Sequence, residues 1–332
     1  KFIYHLKKEL PLLDEDHILG FDEIEVSQKD AKCQLAEKWV EKTVTDSELQ
    51  VSEDDTQIHI KGREFAYTID RRTALFTEMK FAGREYLNHP MELNIWRAPT
   101  DNDMYIKSEW KKAHYDKAYT RAYTTEVVQG KHGVKITSHA SVVAETVQKI
   151  LDVTITWKIE AAGKIDADIA VTKDDEFPDL PRFGVRMFLD KKLSAARYFG
   201  MGPQESYCDK HQAASHGLYQ ANVDDLHEDY IRPQENGSHY DCEYVELNNS
   251  RYGIVASAEK AFSFNASYYT QEELEKKTHN YELIESDSVV FCVDYALNGI
   301  GSNSCGPVVL EQYRFDDVLF RFQFTLIPYI KG

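Results

Sequence analysis

Between Leu151 and Val171 the chain alternates. Leu151, Val153, Ile155, Trp157 and Ile159 are separated by Asp152, Thr154, Thr156 and Lys158, and after Ala161-Ala162-Gly163 the pattern resumes at Ile165, Ala167, Ile169 and Val171. A period of two puts every apolar side chain on one face of a pleated strand, whereas a helix would scatter them round its circumference. The segment reads as a hairpin with one buried face. Similar stripes occur at Phe183/Val185/Met187/Leu189, at Phe262/Phe264/Ala266/Tyr268 and at Phe320/Phe322/Phe324/Leu326, with a further strand-like run from Val289 to Tyr295. Only two segments read as short helices: Ser108 to Lys117, and Thr270-Gln271-Glu272-Glu273, whose capping-box spacing precedes Leu274 and Lys276. Many strands joined by turns, with no alternating helices, predict an all-β chain built as a large antiparallel sandwich. The 20 Tyr and 16 Phe suit the half-buried surface of such sheets.

The length of 332 residues allows one large domain or two ordinary ones. Residues 1–45 differ in texture from the rest: His17 to Val26 reads as one or two strands followed by a charged stretch, too little for a core of its own. A boundary is expected near residues 44–52, at Val44-Thr45-Asp46-Ser47, with residues 1–45 as the end of a preceding domain and 46–332 as the sandwich. The chain starts with Lys, so residue 1 is expected to lie inside a longer gene product. The 39 Lys and Arg against 56 Asp and Glu give a charge of −17 without any Lys/Arg-rich run, which argues against nucleic acid as a partner. No apolar run approaches the roughly 18 residues of a membrane span. Five scattered cysteines, Cys33, Cys208, Cys242, Cys292 and Cys305, form no Cys-x-x-Cys pair, which suits a reducing compartment and argues against a zinc site. The histidines show no metal-ligand spacing.

Four polar, turn-rich segments are the places where chemistry can reside. In Trp96-Arg97-Ala98-Pro99-Thr100-Asp101-Asn102-Asp103, an EF-hand starting at Asp101 would need glycine and glutamate where Ile106 and Lys112 stand, so that reading fails. Either Arg97, Asp101 and Asp103 line a cleft for sugar hydroxyls, or an Arg–Asp pair holds a long loop together. In Gly200 to Tyr207 and Ile231 to Gly237, Glu205 and Glu235 each follow a Pro-Gln turn. Two aimed carboxylates are what a glycosidase needs, and two turns whose glutamates accept backbone N–H groups are the alternative. Asn236-Gly237 is a turn pair. In Gly299 to Pro307, three glycines and a proline make a bent surface loop. Cys305 within it has no histidine at a spacing that would mark a catalytic thiol. Asn-x-Ser sequons at Asn236, Asn248 and Asn265 matter only in a secreted, glycosylated protein.

At these segments the chain resembles the C-terminal region of the large bacterial β-galactosidases of glycoside hydrolase family 2. The strings that carry the resemblance are Trp96 to Asp103, Leu180-Pro181-Arg182-Phe183-Gly184, Tyr198 to Tyr207 with Asp209, Tyr230 to Gly237, and the Gly299 to Pro307 loop. It spans nearly the whole chain. It implies the final strands of an immunoglobulin-like domain followed by a β-supersandwich similar to galactose mutarotase, a region that some relatives carry as a separate small subunit. It also implies that the catalytic glutamates and the Mg and Na ligands lie in an upstream (β/α)₈ barrel, in the same polypeptide or a large subunit. No catalytic residue, metal ligand or cofactor is then expected here, and the chain alone should not hydrolyse lactose. Its contribution would be an active-site-mouth loop, Asn303, Ser304 and Cys305, with Cys305 where some members place a sugar-stacking tryptophan. A galactoside ligand, oligomeric assembly and a bacterial cytoplasmic location are the further expectations.

The likeness to mutarotase suggests that Arg97, Asp101, Asp103, Arg182, Glu205, Glu235 and Asn236 line a sugar cleft. One hypothesis is an accessory β-galactosidase domain in which that cleft is structural or vestigial. The other is a stand-alone carbohydrate-binding or mutarotase-like domain using Glu205 or Glu235 as base; a mutarotase would also need a histidine acid, which no motif supplies.

Overall fold

The computed structural model describes residues 1–24, 49–146 and 149–331. The expected boundary at Val44 to Ser47, and Val26 and Cys33, lie outside them. Strands β1 (Phe2–His5) and β2 (Ile18–Asp22) form a small antiparallel pair. The next strands, β3 (Gln50–Glu53), β4 (Gln57–Lys61), β5 (Phe65–Asp70), β6 (Leu75–Phe81) and β7 (Arg84–Glu85), make a five-stranded meander.

A twelve-stranded antiparallel sheet takes the rest. It begins with β8 (Leu87–Asn94) and continues through β9 (Tyr119–Gln129), β10 (Gly133–Val143), β11 (Leu151–Glu160) and β12 (Ile165–Lys173). Then follow β13 (Arg182–Asp190), β14 (Ala195–Gly202), β15 (Ser215–Asn222) and β16 (Ser238–Asn248), and the long β17 (Tyr252–Ser267), β18 (Ser288–Leu297) and β19 (Leu319–Ile330) close it. The main path runs β15-β14-β16-β17-β19-β12-β11-β10-β9, and β18, β13 and β8 branch from β17.

The 151–171 hairpin forms as its alternation requires: Ile159 faces Ile165 across the turn, the odd-numbered apolar residues of β11 are buried, and Asp152 and Lys158 are exposed. The five-stranded sheet packs on this hairpin. Phe76 meets Trp157 edge-on at 4.9 Å, Trp157 meets Phe324 at 6.3 Å, and the Trp157 indole N–H donates to the Ala74 carbonyl at 2.8 Å. The branch folds back over the same core, so that Phe183 of β13 contacts Phe320 of β19 at 5.0 Å.

β13 differs from the simple stripe read in its sequence. Gly184, Arg186 and Phe188 are buried as well, because β13 is covered on both faces and Arg186 finds Glu92 and Glu272. Both helices are short: α1 (Ile106–Lys112), followed by a 3-10 turn at Tyr115–Lys117, and α2 (Gln271–Lys276), where Thr270 caps the Glu273 N–H at 3.1 Å.

Candidate functional site

The four polar segments, far apart in sequence, are tied to one another by charge. Arg97, just beyond β8, is fully buried. It donates from Nε and Nη2 to the Asp103 carboxylate at 3.2 and 2.7 Å, and from its remaining N–H groups to the carbonyls of Asn298 and Gly299. The arginine therefore roots the 299–307 loop on the 96–103 segment. Burial disfavours its charge, but Asp103 more than compensates and holds the guanidinium above its ordinary pKa. Arg182 of β13, also fully buried, grips Asp294 with Nε and Nη2 and reaches Glu235 Oε1 at 2.8 Å. Glu235 Oε2 accepts from the Ala98 N–H at 3.3 Å, and the Glu235 N–H donates to the Ala98 carbonyl at 3.0 Å. Burial raises the Asp294 carboxyl to about 6, against the opposing pull of Arg182.

Glu205 is the hub of a second cluster. Its Oε1 accepts from Lys210 Nζ and the Tyr230 hydroxyl, and its Oε2 from the Gly237 N–H at 2.8 Å and the Tyr207 hydroxyl at 3.3 Å. Gly237 sits at φ +69°, and a Cβ there would lie 2.3 Å from the Leu226 carbonyl oxygen. Only glycine brings this N–H to Glu205 without strain. Asp209 accepts from the N–H groups of Ile300 at 2.9 Å and Gly301 at 2.7 Å, while Asn102 Nδ2 donates to the Gly301 carbonyl. The root of the loop is held from three sides, and its tip, Ser304 to Val308, is exposed.

The sequence candidates differ in burial, although two of the buried ones, Glu235 and Asp103, also border the hollows beside the loop. Arg97, Asp103, Arg182 and Glu235 lie beneath the surface as matched ion pairs, the loop-holding arrangement weighed for Arg97 in the sequence, and Asn236 is buried with its amide engaged by Glu228 and Gln234. Asp101, Glu205 and, despite its burial, Glu235 line a hollow of about 560 Å³ together with Asn102, Lys210, Tyr230 and Ser304. On the other side of the loop, Asn303 lines a hollow of about 490 Å³ with Met104, Tyr105 and Val308. Cys305 carries a free, exposed thiol at the tip.

Four donors occupy the Glu205 carboxylate, about its full acceptor capacity, whereas each Glu235 oxygen accepts one hydrogen bond, from Arg182 and from the Ala98 N–H. Among the described residues no group of three or more His, Cys, Asp or Glu side chains is arranged to hold a metal ion. Lys210 and Asp294 are not singled out in the sequence, and Tyr230 figures there only within the Tyr230 to Gly237 string. For Asp294 a signal existed: an acid inside the apolar run Val289 to Tyr295 must be buried and therefore partnered.

Fold and site together define an all-β sandwich domain that presents a rigidly rooted surface loop between two hollows, one mainly polar and one with an apolar wall of Met104, Ile106, Val308 and Val309. The β-galactosidase small chain family model matches residues 61–326, and the chain belongs to that family. The β-galactosidase of Actinobacillus pleuropneumoniae is 42% identical over 98% of this chain and 31% of its own length. That of Staphylococcus xylosus is 31% identical over 97% of this chain and 32% of its own length, and that of Kluyveromyces lactis 28% identical over 97% and 31%. The chain spans about a third of these relatives. A crystal structure of galactose 1-epimerase from Lactobacillus acidophilus overlaps 87% of this chain and 100% of that one at 8% identity, with a TM-score of 0.45.

Proposed function

We propose that this chain is the accessory C-terminal domain of a β-galactosidase, acting on terminal β-galactosides such as lactose. Its 299–307 loop would complete the mouth of an active site carried by an upstream (β/α)₈ barrel, in the same polypeptide or a partner subunit. The observation that carries this reading is the loop itself: Asp209, Arg97 and Asn102 immobilise its base, and its tip is left exposed on a family member that spans a third of its relatives. Positioning from a fixed base is what a loop that shapes a substrate site requires. The Mg and Na of the longer enzyme would be bound outside this chain, since Asp103, Asp294 and Glu205 are committed to Arg97, Arg182 and Lys210 and no group of three or more metal-ligating side chains is found among the described residues. The free thiols of Cys208, Cys242, Cys292 and Cys305 support a reducing, cytoplasmic location.

The test is hydrolysis of a nitrophenyl β-galactoside. The chain alone should show no turnover, and activity should appear when it is joined to, or mixed with, a barrel-bearing partner. In that active form Cys305→Trp, which adds an aromatic face at the tip, should lower KM for lactose. Turnover by the chain alone, abolished by Glu205→Gln, would overturn the proposal.

A further inference from the structure

The large sheet forks at β17. Residues Tyr252 to Ser257 pair with β19, whereas Ser263 to Ser267 pair with β18. At the fork the other neighbour, β16, has one residue, Glu243, opposite the β17 stretch Ala258 to Ala261, since Tyr244 pairs with Ser257 and Cys242 with Phe262. Diverging strands leave a crevice of about 450 Å³, within the range of about 300–1,000 Å³ typical of small-molecule sites.

The backbone is shaped to line this crevice. Successive residues of a regular strand point to opposite faces, yet Tyr240 and Asp241 both face the crevice. They do so because the ladder slips between His239 and Cys242 and Asp241 adopts φ +54°. Bulges of this kind re-aim side chains beside functional sites.

Three half-buried tyrosines, Tyr240, Tyr295 and Tyr313, line the crevice. Their hydroxyls have no hydrogen-bond partner among the described residues, although a partly buried phenol ordinarily finds one. Tyr295 is stacked on Phe320 at 4.9 Å, which fixes its ring, and Tyr240 is stacked on His211 at 5.7 Å. The charges balance: Asp241, Glu259 and Asp317 against Lys260, Arg314 and Arg321. A net-neutral lining gives no preference to a phosphate or a polycation. Fixed aromatic rings with unpaired hydroxyls, beside amide and charged groups, match a ligand with an apolar C–H face and a periphery of hydroxyls.

We propose that the crevice at the β17 fork binds a short neutral saccharide. Nothing in this assignment depends on the accessory role of the 299–307 loop, and it uses none of the groups around Glu205 except Tyr207, whose ring region borders both.

Titrating the purified 332-residue chain with lactose and with cellobiose, read by saturation-transfer NMR and calorimetry, tests it. Saturable binding of at least one disaccharide is expected. Tyr240→Ala and Tyr313→Ala should each weaken it by about tenfold, the loss of one aromatic face. Gln312→Trp, at an exposed rim position, should block the crevice without disturbing the core and so remains informative if a tyrosine variant fails to fold. The proposal is overturned if neither sugar binds, or if binding withstands all three substitutions, or if Asp101→Asn weakens it while they do not.

Discussion

Arg182 touches no solvent and bridges two carboxylates that touch almost none, Asp294 and Glu235. A buried arginine of this kind stabilises less by attraction than by preventing two uncompensated anions, and its geometry fixes β13, β18 and the 230–237 turn relative to one another. His239 is the opposite case, a buried base kept neutral. Its Nδ1 donates to the Met201 carbonyl at 3.2 Å, its Nε2 has no partner, and the ring lies between Tyr198 and Phe264. Burial lowers its pKa to about 4. Between about pH 6.5 and 4 the unfolded chain therefore binds a proton that the folded chain refuses, and stability falls as pH falls. Asp294, raised to about 6, works in the reverse direction: the folded state takes its proton first, so acidification down to about 4 offsets part of the loss. His239→Phe removes only the first effect. Denaturant titrations from pH 7 to pH 4 should show the variant gaining on the parent protein by up to about 3 kcal/mol as the pH drops. A constant difference across that range would mean that His239 takes up its proton at the same pH in the folded and unfolded chains.

At the scale of elements, strands and helices were legible because their signals are local. The alternation of β11 and β12 and the capping residue Thr270 of α2 each act within a few residues, and the elements formed where those signals lie. The fork at β17 was not legible, since a strand that changes partners keeps its own apolar pattern throughout and only the neighbours differ. The site divides in the same way. The four polar segments announced themselves by glycine, proline and charge, but which carboxylate would be buried and which exposed depends on pairings across as many as 202 residues, as between Arg97 and Gly299. The 299–307 loop shows the consequence. Two of its N–H groups are held by one side chain, Asp209, and a Cβ on Gly299 would lie 2.7 Å from that carboxylate. Asp209→Asn keeps the size but halves the acceptor capacity and turns a donor toward a donor. Amide exchange at Ile300 and Gly301 should accelerate by about tenfold or more, with a loss of about 1–3 kcal/mol in stability, while exchange in β11 relative to global unfolding stays unchanged. Unaltered exchange at both amides would show that Arg97 and Asn102 suffice to hold the loop.

For the molecule as a whole, the question is whether the five-stranded meander and the twelve-stranded sheet behave as one body. Chains of this length often unfold in steps. Here the two sheets share a single apolar interior: Ile58, Tyr67 and Phe76 from the meander belong to the same buried cluster as Trp157, Phe183 and Phe324 from the large sheet. Polar ties cross the same boundary, from the Tyr67 hydroxyl to the Gly163 carbonyl and from the Trp157 indole to Ala74. Neither sheet can separate without exposing the inner face of the other. Phe76 of the meander and Phe324 of the large sheet both meet Trp157, and Phe76→Ala or Phe324→Ala removes a buried ring at a cost of about 3–5 kcal/mol. If the interior is shared, both substitutions shift one and the same unfolding transition, with tryptophan fluorescence and far-ultraviolet circular dichroism coinciding at the lowered midpoint. Two resolved transitions, with Phe76→Ala moving only the earlier one, would instead make the meander an independent unit and confine the cooperative core to the forked sheet.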